Sequence, residues 1–130
     1  MLSDWRELVV FYEDLAKGPA LPEYRYNGMV EFLKMLLTHR SLKGIECFAS
    51  HDLLCVSLYK THDERKDQPY VTIEVAETDR LALEFVQSTE EPGGVLRASK
   101  AEVICPLKDS LKYFDEMIGM LKESKKRQNG

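Results

Sequence analysis

Positive charge, cysteine and long apolar runs are all scarce in this chain, and each shortage removes a class of function. Lys and Arg total 18 against 22 Asp and Glu in 130 residues, a net charge of −4, which leaves no general field for holding a phosphate backbone. The one basic run is Lys122, Lys125, Lys126 and Arg127. It follows a helical pattern, where cations favour the negative end of the helix dipole and then trail into solvent. Nucleic acid is therefore not an expected partner. No segment is apolar for the length of a membrane span, and Met1 to Glu7 show no basic stretch followed by an apolar one, so no membrane is expected either and the cytoplasm is the expected address.

Cysteine is limited to Cys47, Cys55 and Cys105, an odd number without CxxC spacing, which suits a reducing compartment rather than a disulfide framework. Their apolar neighbours would raise a thiol pKa, against use as nucleophiles. Cys47, His51 and Cys55 invite a zinc reading, yet strand alternation turns Cys47 and Cys55 to opposite faces and no fourth ligand is evident, so no metal is expected. The pairs His51-Asp52 and His62-Asp63 fall in a turn and a charged loop, where they read as solvated polar residues. Glycine-rich phosphate loops are missing as well: Gly93-Gly94 leads into a strand pattern and Gly18-Pro19 follows a helical one. P-loop and Rossmann nucleotide sites are excluded, and no cofactor is expected.

What remains is a globular composition, 44% hydrophobic and 31% charged, at a length that forms one core. The expected division is a single α+β domain over residues 1–124 with a basic, disordered tail at 125–130. Ser3 is placed to cap a first helix in which Trp5, Leu8, Val9, Tyr12, Leu15 and Ala16 recur at helical spacing, ended by Gly18-Pro19. After a connector from Ala20 to Tyr26, Asn27 is placed to cap a second helix with Met29, Phe32, Leu33, Leu36 and Leu37 on one stripe, widened by Val30 and Met35. Pro106 opens a last helix with Leu107, Leu111, Phe114, Ile118 and Leu121 inward, flanked by Tyr113, Met117 and Met120.

Between these helices the apolar period changes to two. Facing residues that share a face give Ile45 opposite Leu58, Cys47 opposite Val56 and Ala49 opposite Leu54, with His51-Asp52 as a two-residue turn. The next strand sets Val71 opposite Leu58, Ile73 opposite Val56 and Val75 opposite Leu54, across a charged, mobile loop from Lys60 to Pro69. Two registers compete for the third hairpin. Matching Val71, Ile73 and Val75 with Phe85, Leu83 and Leu81 avoids setting Glu74 across from Glu84. Glu90 to Gly94 marks a turn, and Arg97 to Cys105 reads as a fifth strand with Ala101 and Val103 inward and Lys100 opposite Glu84. The expected architecture is two N-terminal helices, a five-stranded antiparallel meander and a C-terminal helix, with the helices on one face.

The other face then carries a polar row of Glu46, Ser57, Thr72, Glu84 and Lys100, beside Tyr59 opposite Tyr70 and Phe48 opposite Cys55. Aromatic and polar residues mixed in this way suit a protein-docking surface. The expected function is a small non-enzymatic binding or adaptor protein using Glu46, Phe48, Cys55, Tyr59, Tyr70, Thr72, Glu84 and Lys100, with a protein partner or a second copy as homodimer. An ordinary solvated sheet face accounts for the same residues. Two alternatives stand beside the leading reading. In one, a small-molecule site or enzyme uses Glu46, Glu84 and Lys100 as acid, base and counter-charge. In the other, an acidic inhibitor or immunity-type protein neutralises a basic partner.

Overall fold

The computed structural model describes residues 4–17, 24–50, 53–77, 79–91 and 94–129. Helices α1 (Trp5–Ala16) and α2 (Tyr24–His39) precede strands β1 (Glu46–Ser50) and β2 (Leu53–Ser57). A one-turn helix α3 (His62–Arg65) leads to β3 (Tyr70–Glu77), β4 (Arg80–Glu91) and β5 (Gly94–Pro106). After a 3-10 turn at Leu107–Asp109, α4 (Ser110–Asn129) closes the order. The strands form one antiparallel sheet in the order β1-β2-β3-β4-β5. This is the α+β meander that the alternation predicts.

Helix ends differ from the sequence reading in three places. The cap of α1 is Asp4, whose carboxylate accepts from the Arg6 and Glu7 amides at 2.8 and 3.3 Å; Ser3 and Gly18-Pro19 lie outside the described residues. Helix α2 starts at Tyr24, so Asn27 is an interior residue rather than a cap. The earlier start brings Tyr26 into the core 6.3 Å from the Tyr12 ring. Helix α4 continues to Asn129, so residues 125–129, expected as a tail, are helical. Exposure also corrects Leu37, expected on its helix's buried stripe, and sets Met120, expected beside one, outside the core, both being 38% accessible.

The three long helices share one face of the sheet. Helix α2 crosses β3 closely enough that a Cβ on Gly28 would lie 3.1 Å from Val75 Cγ2. Trp5 Nε1 donates to the Ile45 carbonyl at 3.1 Å, pinning α1 to the start of β1. Phe32 and Phe114 meet edge to face at 5.8 Å, joining α2 to α4. At the same junction Arg40 Nη1 lies 2.7 Å from Asp115 Oδ1, a contact of charge whose angle falls short of an aligned hydrogen bond. The core beneath contains Leu8, Met29, Leu33 and Leu36 from the helices and Cys47, Val56, Ile73 and Leu83 from the sheet.

Two of the expected registers hold and two shift. Cys47 pairs with Val56 and Ala49 with Leu54; the pairing runs to Ser50 and Leu53, and the turn residues His51-Asp52 lie outside the described residues. Val71, Ile73 and Val75 face Phe85, Leu83 and Leu81 as predicted. Between β2 and β3, however, Val56 faces Val71 and Leu54 faces Ile73, two residues from the expected pairing. A two-residue slip preserves every inward face, so hydrophobic matching cannot detect it. Strand β2 stops at Ser57 and β3 starts after Pro69, which has no amide hydrogen to pair with Leu58. Between β4 and β5, Phe85 faces Ala101 but Val86 faces Ser99, which leaves Lys100 as the extra residue of a bulge. Ala101 and Val103 still pack against the core.

Candidate functional site

The register decides which residues meet on the face away from the helices. Glu46 faces Ser57 at the upper end of β1 and β2. One row below, Phe48 faces Cys55, Cys55 faces Thr72, Thr72 faces Glu84 and Glu84 faces Glu102. The expected row of Glu46, Ser57, Thr72, Glu84 and Lys100 is therefore split: Glu46 and Ser57 belong to one level, Thr72 and Glu84 to another, and Lys100 sits in the bulge. Glu102 takes the position opposite Glu84 that was expected for Lys100. Tyr70 faces Val86 rather than Tyr59. Tyr59 lies beyond the end of β2, with Lys125 Nζ from α4 at 4.9 Å from its ring centroid.

Two zones result. On β3, β4 and β5 the outward residues Glu74, Glu84 and Glu102 are neighbours: Glu84 faces Glu102 directly, and Glu74 is diagonal to Glu84 through Ala82. Like charges directly across a sheet are destabilising, and among the described residues none of these carboxylates has a basic partner within 4.0 Å. Ile104, one position beyond Glu102 on the same face of β5, leaves 53% of its surface accessible.

On β1 and β2, and at the Val86 end of β4, the face is covered. Cys55, Ser57 and Val86 point outward yet are 3%, 1% and 6% accessible, and none belongs to the core beneath the helices. The cover is the connection from Lys60 to Pro69, expected to be a mobile loop. Thr61 and Glu64 form a reciprocal capping box around α3, with the Glu64 amide donating to Thr61 Oγ1 at 3.1 Å and the Thr61 amide to Glu64 Oε1 at 3.1 Å. Arg65 then turns back over the sheet. Its guanidinium carbon lies 4.1 Å from the centroid of Phe48, while Nε and Nη2 donate to the carbonyls of Tyr59 and Lys60 at 3.0 and 2.8 Å. Farther along, Gln87 Nε2 donates to the Asp67 carbonyl at 3.2 Å.

The charges follow this geometry. Desolvation lowers the Arg65 pKa, and the negative charge of Glu46, followed by the neighbouring Cys55 and Cys47 thiols, opposes that shift. Cys47, on the helix side, is pushed up to about 12 by burial, with Asp4 and Glu46 adding to the effect. It remains a neutral thiol at physiological pH, as its apolar setting predicts. Burial likewise raises Cys105. No group of three or more metal-ligating side chains occurs among the described residues, and no helix there is long and apolar enough to cross a membrane.

Sequence reasoning missed Arg65, Glu102 and Ile104. The last two lie outward by the same alternation that turns Ala101 and Val103 inward, and it is their register against β4 that the bulge conceals, while a mixed-charge loop gives no period from which Arg65 could be assigned. A second surface feature, a groove of about 600 Å³ along α1, is lined by Glu7, Val10, Phe11, Asp14 and Leu15. It shares no residue with the sheet face. Comparison with protein-family models, curated proteins and solved structures finds no match.

Proposed function

We propose that this chain is a binding protein that presents the outer face of β3, β4 and β5 to a basic protein partner. The observation that carries this reading is the arrangement of Glu74, Glu84 and Glu102 as adjacent carboxylates beside an accessible Ile104. Such a surface forgoes sheet stability, since the Glu84–Glu102 pair repels, and a cationic partner relieves that repulsion while the apolar residue supplies area to bury. A second copy on the same face would bring carboxylates against carboxylates, which favours a basic partner over a homodimer. The catalytic alternative loses its support because Glu46, Glu84 and Lys100 do not share a row.

An NMR titration with hexaarginine tests the reading. Amide shifts are expected at Thr72, Glu74, Ala82, Glu84 and Glu102, weakening steeply with added salt. They are expected to vanish in the triple variant Glu74→Gln, Glu84→Gln, Glu102→Gln. Shifts spread evenly over the molecule, or unchanged in the triple variant, would remove the proposal.

A further inference from the structure

The covered half of the outer face already holds a guanidinium, and it is the chain's own. Arg65 holds its central carbon 4.1 Å from the centroid of the Phe48 ring, and Glu46, on the same face of β1, exerts the largest negative charge on it. An aromatic face and a carboxylate are the two groups that recognise arginine best, one by stacking on the planar ion and one by charge. The neighbour of the ring is buried: Cys55, which faces Phe48 across the β1–β2 pair, is 3% accessible.

We infer that residues 61–69 form an autoinhibitory strap, in which Arg65 occupies an arginine site on the Phe48 ring that an arginine of the basic partner takes when the strap lifts. This inference rests on the proposal of a basic partner and adds the side chain it uses and the contact it must displace. The row from Phe48 through Cys55, Thr72 and Glu84 to Glu102 makes the site continuous with the acidic zone. A partner bound to the carboxylates thus reaches the arginine site without leaving the face.

The strap is held lightly for a segment that covers so much. Helix α3 has four residues, and Arg65 Nε and Nη2 donate to carbonyls only six and five residues away, so these two bonds can survive when the strap lifts, and the Gln87 Nε2 bond to the Asp67 carbonyl is the contact with β4 that must give way. Asp67 adopts φ +60°, a left-handed conformation that carries a cost outside glycine. Gln68 Oε1 is buried with no hydrogen-bond partner among the described residues, a further cost that opening to water would remove.

The exchange is tested by titrating hexaarginine into wild type, Arg65→Gln and Lys66→Gln, with binding read from the amides of Glu46, Phe48 and Cys55. Vacating the site is expected to tighten hexaarginine binding about tenfold in Arg65→Gln, the scale of a desolvated cation–π contact. Lys66→Gln removes the same charge one residue away and is expected to change affinity by less than about twofold. Hexalysine is expected to show no comparable gain, because an ammonium lacks the planar ion. Phe48→Ala in the Arg65→Gln background is expected to abolish the gain. Unreactive Cys47 and Cys105 thiols confirm that each variant is folded.

Equal gains from Arg65→Gln and Lys66→Gln, or from hexalysine and hexaarginine, would reduce the effect to bulk charge and overturn the inference. Binding at β3 to β5 with no gain at Phe48 overturns the strap alone. A gain at Phe48 without shifts at β3 to β5 supports the strap while removing the acidic-face proposal. Absence of binding in every variant overturns both.

Discussion

The two faces of the sheet are built from the same strands but obey different rules. Toward the helices, Val71, Ile73, Leu81 and Leu83 are wholly or almost wholly buried, and each strand contributes apolar residues at every second position. Away from them, Phe48, Cys55, Thr72, Glu84 and Glu102 make one row that passes from a covered aromatic residue to an exposed carboxylate. The inner face is specified by a hydrophobic requirement common to all positions. The outer face is specified only by which residues are neighbours, and a small change of register rewrites it.

Truncation on the two sides of the sheet should break the comparison most strongly. Phe114→Ala removes a wholly buried ring that meets Phe32, and should cost on the order of 3–5 kcal/mol in a urea melt. Thr72→Ala, at the centre of the outer face, should remain within about 1 kcal/mol. Comparable losses at the two positions would mean that the outer face carries a second structural core, and the docking proposal would lose its surface.

The like-charge pair offers a smaller and opposite effect. Glu102→Lys converts a directly facing Glu84–Glu102 repulsion into attraction and should stabilise the fold by about 0.2–1 kcal/mol. The same variant should weaken hexaarginine binding to β3 to β5. A variant that is both more stable and a poorer binder is the signature of a surface kept for recognition rather than for folding. If stability is unchanged, the two carboxylates are too well solvated for their repulsion to count.

The faces also differed in how far the sequence could be read. The helix stripes, the strand order and the β3–β4 register were legible because each depends on apolar period, and one of the competing β3–β4 registers carried a Glu74–Glu84 clash. The β2–β3 register was not legible: Leu58 and Val56 are both apolar, both face inward, and are interchangeable under a two-residue slip. Pro69 accounts only for where the pairing stops, since in the observed register it would face Leu58 without an amide hydrogen to donate. The β5 bulge has no such marker in Ala98-Ser99-Lys100-Ala101, so the exchange of Lys100 for Glu102 opposite Glu84 was beyond the pattern. Phe48 and Cys55 were correctly paired, but their cover depends on Arg65, placed by contacts that only folding brings together.

The smallest expected effect belongs to the strap and separates the two halves of the outer face by pH. Glu64 has a pKa lowered from its ordinary 4.5, first by the Thr61 hydroxyl and then by the Thr61 amide, with weaker help from Lys125 and Arg65. A carboxyl depressed in the folded state binds fewer protons there than in the unfolded chain. Its contribution is therefore present above pH 4.5 and is lost as pH falls through the lowered folded value. Because Glu64 is exposed, the change should be confined to the capping box and leave the core intact. Modification of Cys55 by dithiodipyridine, which stays reactive in acid, should accelerate below that pH while Cys47 and Cys105 remain protected, and Glu64→Gln should flatten the dependence. Acceleration of all three thiols together would instead report global unfolding, and the strap would have no independent motion for a partner to exploit.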